Sequence, residues 1–252
     1  METLTLSIAD QIATVELNRP GKKNAINLEM VTEMHALLDE LGQRDDIACL
    51  IVTSSDPRCF TAGADVGELH SRKKQDALMG INQYAFRHFE EFPHPTIAAV
   101  RGYALGAGTE LSASCDLRVA GESARFGHPE VGLGITPAAG GMKLLMRLVG
   151  LAKAKELIFT GRVIDARTAL EIGLVNRVVP DNEVLSSAKE LAREIQKNST
   201  LAVRLAKSAM TAAARHAGEH MNLIENLSQA ILFEDEEKQA RMKAFLDRKK
   251  SR

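Results

Sequence analysis

Two glutamates stand where they could act as acid and base. Glu110 falls at the start of a helix-like segment that follows the glycine-rich run Gly102-Tyr103-Ala104-Leu105-Gly106-Ala107-Gly108. Glu130 follows Pro129 and precedes an apolar, glycine-rich stretch from Val131 to Gly141. Such surroundings desolvate a carboxyl and raise its pKa toward the range that proton transfer needs. Two segments of small residues accompany the glutamates: Phe60-Thr61-Ala62-Gly63-Ala64-Asp65 and Gly102 to Gly108. Small residues let a backbone approach a ligand closely. Free N–H groups at a helix start hold negative charge, including charge that develops during a reaction. Donors that polarise a carbonyl, with two carboxyls to hold a water and pass protons, indicate proton transfer or water addition beside an acyl carbonyl. Each residue also has a plainer reading. Asp65 and Glu110 suit a helix N-terminus, and Glu130 suits a loop where it accepts backbone hydrogen bonds. His128 reads as a packing or hydrogen-bonding residue, and Cys59 as a small packing residue with no base beside it.

Other chemistries fit less well. The run at Gly102–Gly108 contains G-x-G but misses the G-x-G-x-x-G and G-x-x-x-x-G-K-[ST] spacings, so nucleotide binding is weak. No H-E-x-x-H or paired histidine spacing offers a metal site, and no G-x-S-x-G elbow offers a nucleophilic serine. The chain has 252 residues, 32 Lys+Arg against 33 Asp+Glu, and a net charge of -1, which argues against a general nucleic-acid binder. Three cysteines, without C-x-x-C spacing, argue against a disulfide framework or structural zinc and for a reducing compartment. The N-terminal METLTLSIADQ lacks the basic and apolar regions of a signal peptide. No apolar run approaches the roughly 20 residues of a membrane span, so a cytoplasmic location without membrane or nucleic-acid partners is expected.

The elements that must position these residues read as α/β. Leu4 to Leu17 forms a hairpin turning at Asp10-Gln11. Asn27 caps a helix to about Arg44 with an apolar stripe of Met30, Met34, Leu37, Leu38 and Leu41. Ala48–Thr53 is a continuous apolar strand, which implies burial on both faces. Ile97–Val100 and Leu117–Ala120 are further strands, and Asn176–Val179 is a short one. Thr136-Pro137 predicts a helix start, with Thr as N-cap and Pro at N1. Amphipathic helices are expected at about 182–197, 200–216, 219–232 and 235–249. The C-terminal helix and the residues after it carry seven basic residues: Lys238, Arg241, Lys243, Arg248, Lys249, Lys250 and Arg252. That basic face is either solvated or directed at phosphate or a neighbouring subunit. The segment from about His70 to Glu91 carries Met79, Ile81, Tyr84, Phe86 and Phe89.

At these residues the chain resembles the enoyl-CoA hydratase/isomerase (crotonase) superfamily, from about Val15 to about Arg248. The match is carried by N-R-P-x-x-x-N-A-I-N at Asn18–Asn27, F-x-A-G-A-D at Phe60–Asp65 and G-x-A-x-G-x-G at Gly102–Gly108. It continues through Cys115-Asp116, F-x-x-P-E at Phe126–Glu130, P-x-x-G-G at Pro137–Gly141 and A-x-x-x-G-L-V at Ala169–Val175.

The resemblance implies a β-β-α superhelical core at 1–195 and a C-terminal helical trimerisation region at 196–252, in a homotrimer or a dimer of trimers. It implies an acyl-CoA thioester substrate, with coenzyme A as part of the substrate and no separate cofactor or metal. By motif position the oxyanion-hole donors are Ala62 and Ala107, and the catalytic glutamates are Glu110 and Glu130. Lys22, Lys23 and Ala25 of the entry loop, Gly63, Ala64 and Asp65, and Arg248 of a neighbouring subunit would meet the coenzyme or thioester, and the segment from about His70 to Glu91 would line or lid the acyl pocket. Gly106, Pro129, Leu133 and Ala138 complete the implied binding set, Ala138 standing where the family places a glycine. Two glutamates imply hydration of a trans-2-enoyl-CoA. An isomerase or a dienoyl-CoA hydratase of the same family is the nearest rival, and an RNA-binding or acyl-CoA-binding scaffold is the non-enzymatic one.

Overall fold

The computed structural model describes residues 1–215, together with Glu236 and Ala240. Apart from Glu236 and Ala240, the helices expected at 219–232 and 235–249, and Arg248 with them, lie outside the described residues. Strands β1 (Leu4–Ala9) and β2 (Ile12–Leu17) form the hairpin. Asp10 and Gln11 turn it with φ of 52° and 62°, the left-handed pair that a two-residue hairpin loop requires. Helix α1 (Leu28–Gly42) follows, its first turn capped by the Asn27 side chain, which accepts from Met30 N at 3.1 Å. Its apolar stripe is buried as the periodicity predicts.

A unit of three parts then repeats. Strand β3 (Cys49–Ser54) leads to short β4 (Cys59–Thr61) and helices α2 (Val66–Ser71), α3 (Lys74–Met79) and α4 (Ile81–Glu91). Strand β5 (Thr96–Val100) leads to short β6 (Tyr103–Leu105) and α5 (Ala107–Ser114). Strand β7 (Leu117–Gly121) leads to short β8 (Arg125–Gly127), a 3-10 turn at Pro129–Leu133 and α6 (Gly141–Thr160). β9 (Val163–Asp165), α7 (Ala166–Glu171), β10 (Arg177–Val179), α8 (Val184–Gln196) and α9 (Thr200–Arg215) complete the described elements. The long strands form a six-stranded sheet in the order β1-β2-β3-β5-β7-β10, parallel after the first pair. The short strands form a second sheet, β4-β6-β8-β9. The first long strand of each unit therefore feeds one sheet and the next short strand the other, which is the β-β-α pattern.

All six residues of β3 are buried because both sheet faces are covered. Leu50 and Val52 join the main core with Leu38, Phe60, Phe86, Phe89 and Phe126. Cys49 and Ile51 point the other way, onto Val184, Ala188 and Ala192 of α8. α9 is tied down by a buried cation: Lys207 Nζ donates to Asp116 Oδ2 at 2.7 Å and to the His94 carbonyl at 2.9 Å. The expected boundary at 195/196 falls inside the last turn of α8, so the chain passes from core to α9 only after Gln196. No helix of the described residues is long and apolar enough to cross a membrane.

Two departures concern the site. The second sheet was not foreseen, because strands of three residues are too short to show an alternation. The helix expected at Thr136-Pro137 begins at Gly141 instead, with Gly140 left-handed at φ 106° before it. The local Thr-Pro signal yields to a tertiary one, because the N–H groups of Ala139 and Gly141 are committed to the Glu110 carboxylate.

Candidate active site

The entry loop is fixed first. The Asn24 side chain is buried, accepts from Arg19 N at 2.7 Å and donates to Ser54 Oγ at 2.7 Å. This holds the loop against the 60–65 segment. Ala62 N donates to the Lys23 carbonyl at 3.0 Å, Ile26 N to the Gly63 carbonyl at 2.8 Å, and Asp65 N to the Ile26 carbonyl at 2.9 Å. Gly63 N donates to Thr61 Oγ1 at 3.1 Å. Of the N–H groups from Ala62 to Asp65, only that of Ala64 has no acceptor. Ala62, the donor implied by motif position, is therefore occupied in this structure, and the open N–H lies two residues further on. Motif spacing alone does not reveal which amide in a run of small residues is left unpaired.

The second open donor is Ala107, the first residue of α5, which has no acceptor within its helix. The two segments meet at Gly63, whose φ is +106°. A Cβ there would lie 2.8 Å from the Leu105 carbonyl and 3.6 Å from Ala107 N, so only glycine permits this approach. Thr109 pins the start of α5 by donating to the Ala104 carbonyl at 2.6 Å and accepting from Gly127 N at 3.1 Å.

Glu110 lies one turn into α5 and is 2% exposed. Its carboxylate does not turn to the N–H groups of its own helix start. Oε1 accepts instead from Ala139 N at 2.9 Å and Gly141 N at 2.8 Å, ahead of α6. Burial pushes its pKa up to about 7; Glu130 adds to the rise, while His128 and the two N–H donors oppose it. A Cβ on Gly141 would lie 2.6 Å from Glu110 Oε1 and 2.9 Å from His128 Cε1, so both side chains press on a bare backbone. Glu130 sits in the 3-10 turn with Oε1 at 3.6 Å from His128 Nδ1. A Cβ on Gly106 would lie 3.0 Å from that same oxygen, so Glu130 rests over the start of α5. His128 Nδ1 and Glu130 Oε2 are buried side-chain atoms without a hydrogen-bond partner. The two glutamates are thus brought together beside His128, which the sequence reads as a packing or hydrogen-bonding residue.

A cavity of about 510 Å³ opens beside the small-residue segments, lined by Pro20, Gly21, Lys23, Asp56, Arg58, Cys59, Ala62, Tyr103 and Leu105. It holds two cations, Lys23 and Arg58, and an exposed aromatic face on Tyr103. Lys22 and Ala25 are not part of its lining, and Arg58, Tyr103 and Leu105 were not foreseen. Lys22 is exposed in the turn at Pro20–Lys22. Ala25 is half-buried, with its carbonyl accepting from the Arg19 guanidinium. Asp65 caps α2, accepting from Gly67 N at 3.0 Å, and pairs with Arg19 at 3.4 Å, as its plainer reading holds. Leu133 and Ala138 are exposed near the glutamates, and Pro129 opens the 3-10 turn that carries Glu130. In the segment from His70 to Glu91, Phe86 and Phe89 belong to the main core rather than to a pocket, and Met79 and Tyr84 are exposed.

Burial raises the Cys59 thiol to about 11, so it is protonated at neutral pH and is no nucleophile. Among the described residues no three His, Cys, Asp or Glu side chains group as metal ligands.

Comparison with known proteins places the chain in a family. The family model described as enoyl-CoA hydratase/isomerase matches residues 7–252. A short-chain-enoyl-CoA hydratase of Clostridium acetobutylicum is 38% identical, across 99% of this chain and 97% of its own. A crotonyl-CoA hydratase of Syntrophomonas wolfei is 37% identical, across 99% and 97%. The crystal structure of an enoyl-CoA hydratase from Bacillus anthracis superposes with a TM-score of 0.93 at 33% identity, covering 98% of this chain and 96% of that one. The chain belongs to the enoyl-CoA hydratase/isomerase family.

Proposed function

We propose that the chain adds water reversibly across the 2,3 double bond of an enoyl-CoA thioester. The observation that carries this reading is the pair of carboxyls, Glu110 and Glu130, beside two unpaired N–H groups that meet at Gly63. Two relatives similar over nearly the whole chain, a short-chain-enoyl-CoA hydratase and a crotonyl-CoA hydratase, support the same chemistry.

The N–H groups of Ala64 and Ala107 receive the thioester oxygen and stabilise the enolate charge that grows there. Each such donor is worth roughly 10²–10³ in rate. Glu110, ionised, takes a proton from water as its oxygen bonds to C3. The C2–C3 π electrons move toward the thioester, and Glu130 delivers a proton to C2. The proton then returns from Glu110 to Glu130, which restores the pair. Coenzyme A enters as part of the substrate along the cavity lined by Lys23, Arg58 and Tyr103, and no further cofactor or metal takes part. The subunits assemble as a homotrimer or a dimer of trimers. The enzyme works in the cytoplasm on no nucleic acid or membrane.

The test offers crotonyl-CoA and a 3-enoyl-CoA to the purified protein. Loss of the conjugated enoyl absorbance from crotonyl-CoA supports hydration. Gain of that absorbance from the 3-enoyl substrate, without hydration of crotonyl-CoA, would instead make it an isomerase.

A further inference from the structure

We propose that His128 is a positioning residue that holds Glu130 to its task and sets the charge felt by Glu110. The inference rests on the two-glutamate reading above and deepens it. Three observations carry it. His128 is 2% exposed, and its ring lies against the bare backbone of Gly141 that also bounds the Glu110 carboxylate. Its Nδ1 faces Glu130 Oε1 at 3.6 Å and is buried with no other partner. Glu130 Oε2 is likewise buried without a partner, so Glu130 has no hydrogen bond in this structure to fix its rotamer. A buried polar atom left unpaired is costly, and here two such atoms lie on adjacent side chains at the chemistry. With its proton on Nδ1, the imidazole donates to Glu130 Oε1 once the gap closes by a few tenths of an ångström, as expected when substrate fills the site.

The electrostatic half has a definite sign. His128 opposes the rise in the Glu110 pKa, and Glu130 adds to it. These are the titratable groups that act on Glu110, and the chain entering α6 meets it with the N–H groups of Ala139 and Gly141. Removing His128 therefore moves the Glu110 ionisation upward.

The experiment compares H128L with H128N in crotonyl-CoA hydration. Asn places a donor near the Nδ1 position, and Leu of similar size does not. H128L is expected to lose roughly tenfold in kcat with KM little changed, the size of one lost positioning hydrogen bond. Its acid limb in the pH–rate profile moves to higher pH, and H128N recovers most of kcat. In an E130Q background H128L has little further effect, because the two act as a unit. H128L with wild-type kcat and an unmoved profile would overturn the inference, as would equal losses in H128L and H128N. If H128L does not fold, H128N alone decides: the inference stands if H128N keeps most of kcat, and falls if H128N drops as far as E130Q. A wild-type protein that leaves crotonyl-CoA unchanged would instead defeat the hydratase reading itself.

Discussion

Substitution G141A asks whether Glu110 is held where it works by bare backbone. The new Cβ would stand 2.6 Å from Glu110 Oε1, 2.8 Å from its Cγ and 2.9 Å from His128 Cε1. Contacts that real Cβ atoms tolerate begin near 3.4 Å, so the carboxylate must retreat by about 0.8 Å. That motion stretches both hydrogen bonds from Ala139 N and Gly141 N, now 2.9 and 2.8 Å. A misplacement of about 1 Å in a catalytic group costs roughly 10²-fold, so kcat should fall about 100-fold. Overpacking in the same place should cost about 1–3 kcal/mol of stability. The assay is initial-rate hydration of crotonyl-CoA, with circular dichroism to confirm the fold. G42A serves as the control, because its Cβ meets only ordinary contacts at 3.5 Å and beyond, far from the site. A G141A enzyme with kcat within about threefold of wild type, under 1 kcal/mol by the rate relation, would show that Glu110 does not depend on this cradle.

Four further outcomes follow from the same structure. With its carboxyl raised from 4.5 to about 7, Glu110 binds its proton more tightly in the folded state. Stability therefore falls as pH rises from about 4.5 to about 7 and stays lower above that, by about 3 kcal/mol. E110Q should thus melt several degrees above wild type at pH 8 and lose that advantage near pH 4; equal melting at both would contradict the buried charge. Hydration by the wild type, which needs Glu110 ionised, should rise in kcat/KM through about pH 7, and a flat profile between pH 5 and 9 would count against this base. R58A and K23A should raise KM for the coenzyme A thioester with kcat unchanged, more at low salt than high, since both cations line the outer cavity. K207M should lower the denaturation midpoint by an amount equal to about 2 kcal/mol, because it unties α9 from Asp116 and the His94 carbonyl.

Much of this arrangement was legible in the chain because it is written in residue types with local meaning. The stripe of α1, the cap at Asn27 and the hairpin at Asp10-Gln11 each depend on a few neighbouring residues. The glutamates were legible because their motifs sit at strand-to-helix turns. What escaped was set by contacts distant in sequence. Which amide of Ala62–Asp65 stays unpaired is decided by Lys23 and Ile26 across the entry loop. The helix start at Gly141 rather than Pro137 is decided by a carboxylate on another helix. His128 reads locally as a packing or hydrogen-bonding residue, and only the fold shows that the group it faces is Glu130. The short second sheet left no periodicity to read, although it aligns every site segment.

The central claim is that two glutamates hydrate an enoyl thioester held by backbone N–H groups. The most direct measurement is the crotonyl-CoA hydration rate of wild type, E110Q and E130Q, read as loss of enoyl absorbance. Wild type should turn over, and each variant should fall by roughly 10²–10⁴, the contribution of a positioned acid or base. Near-normal hydration by E110Q would contradict the account.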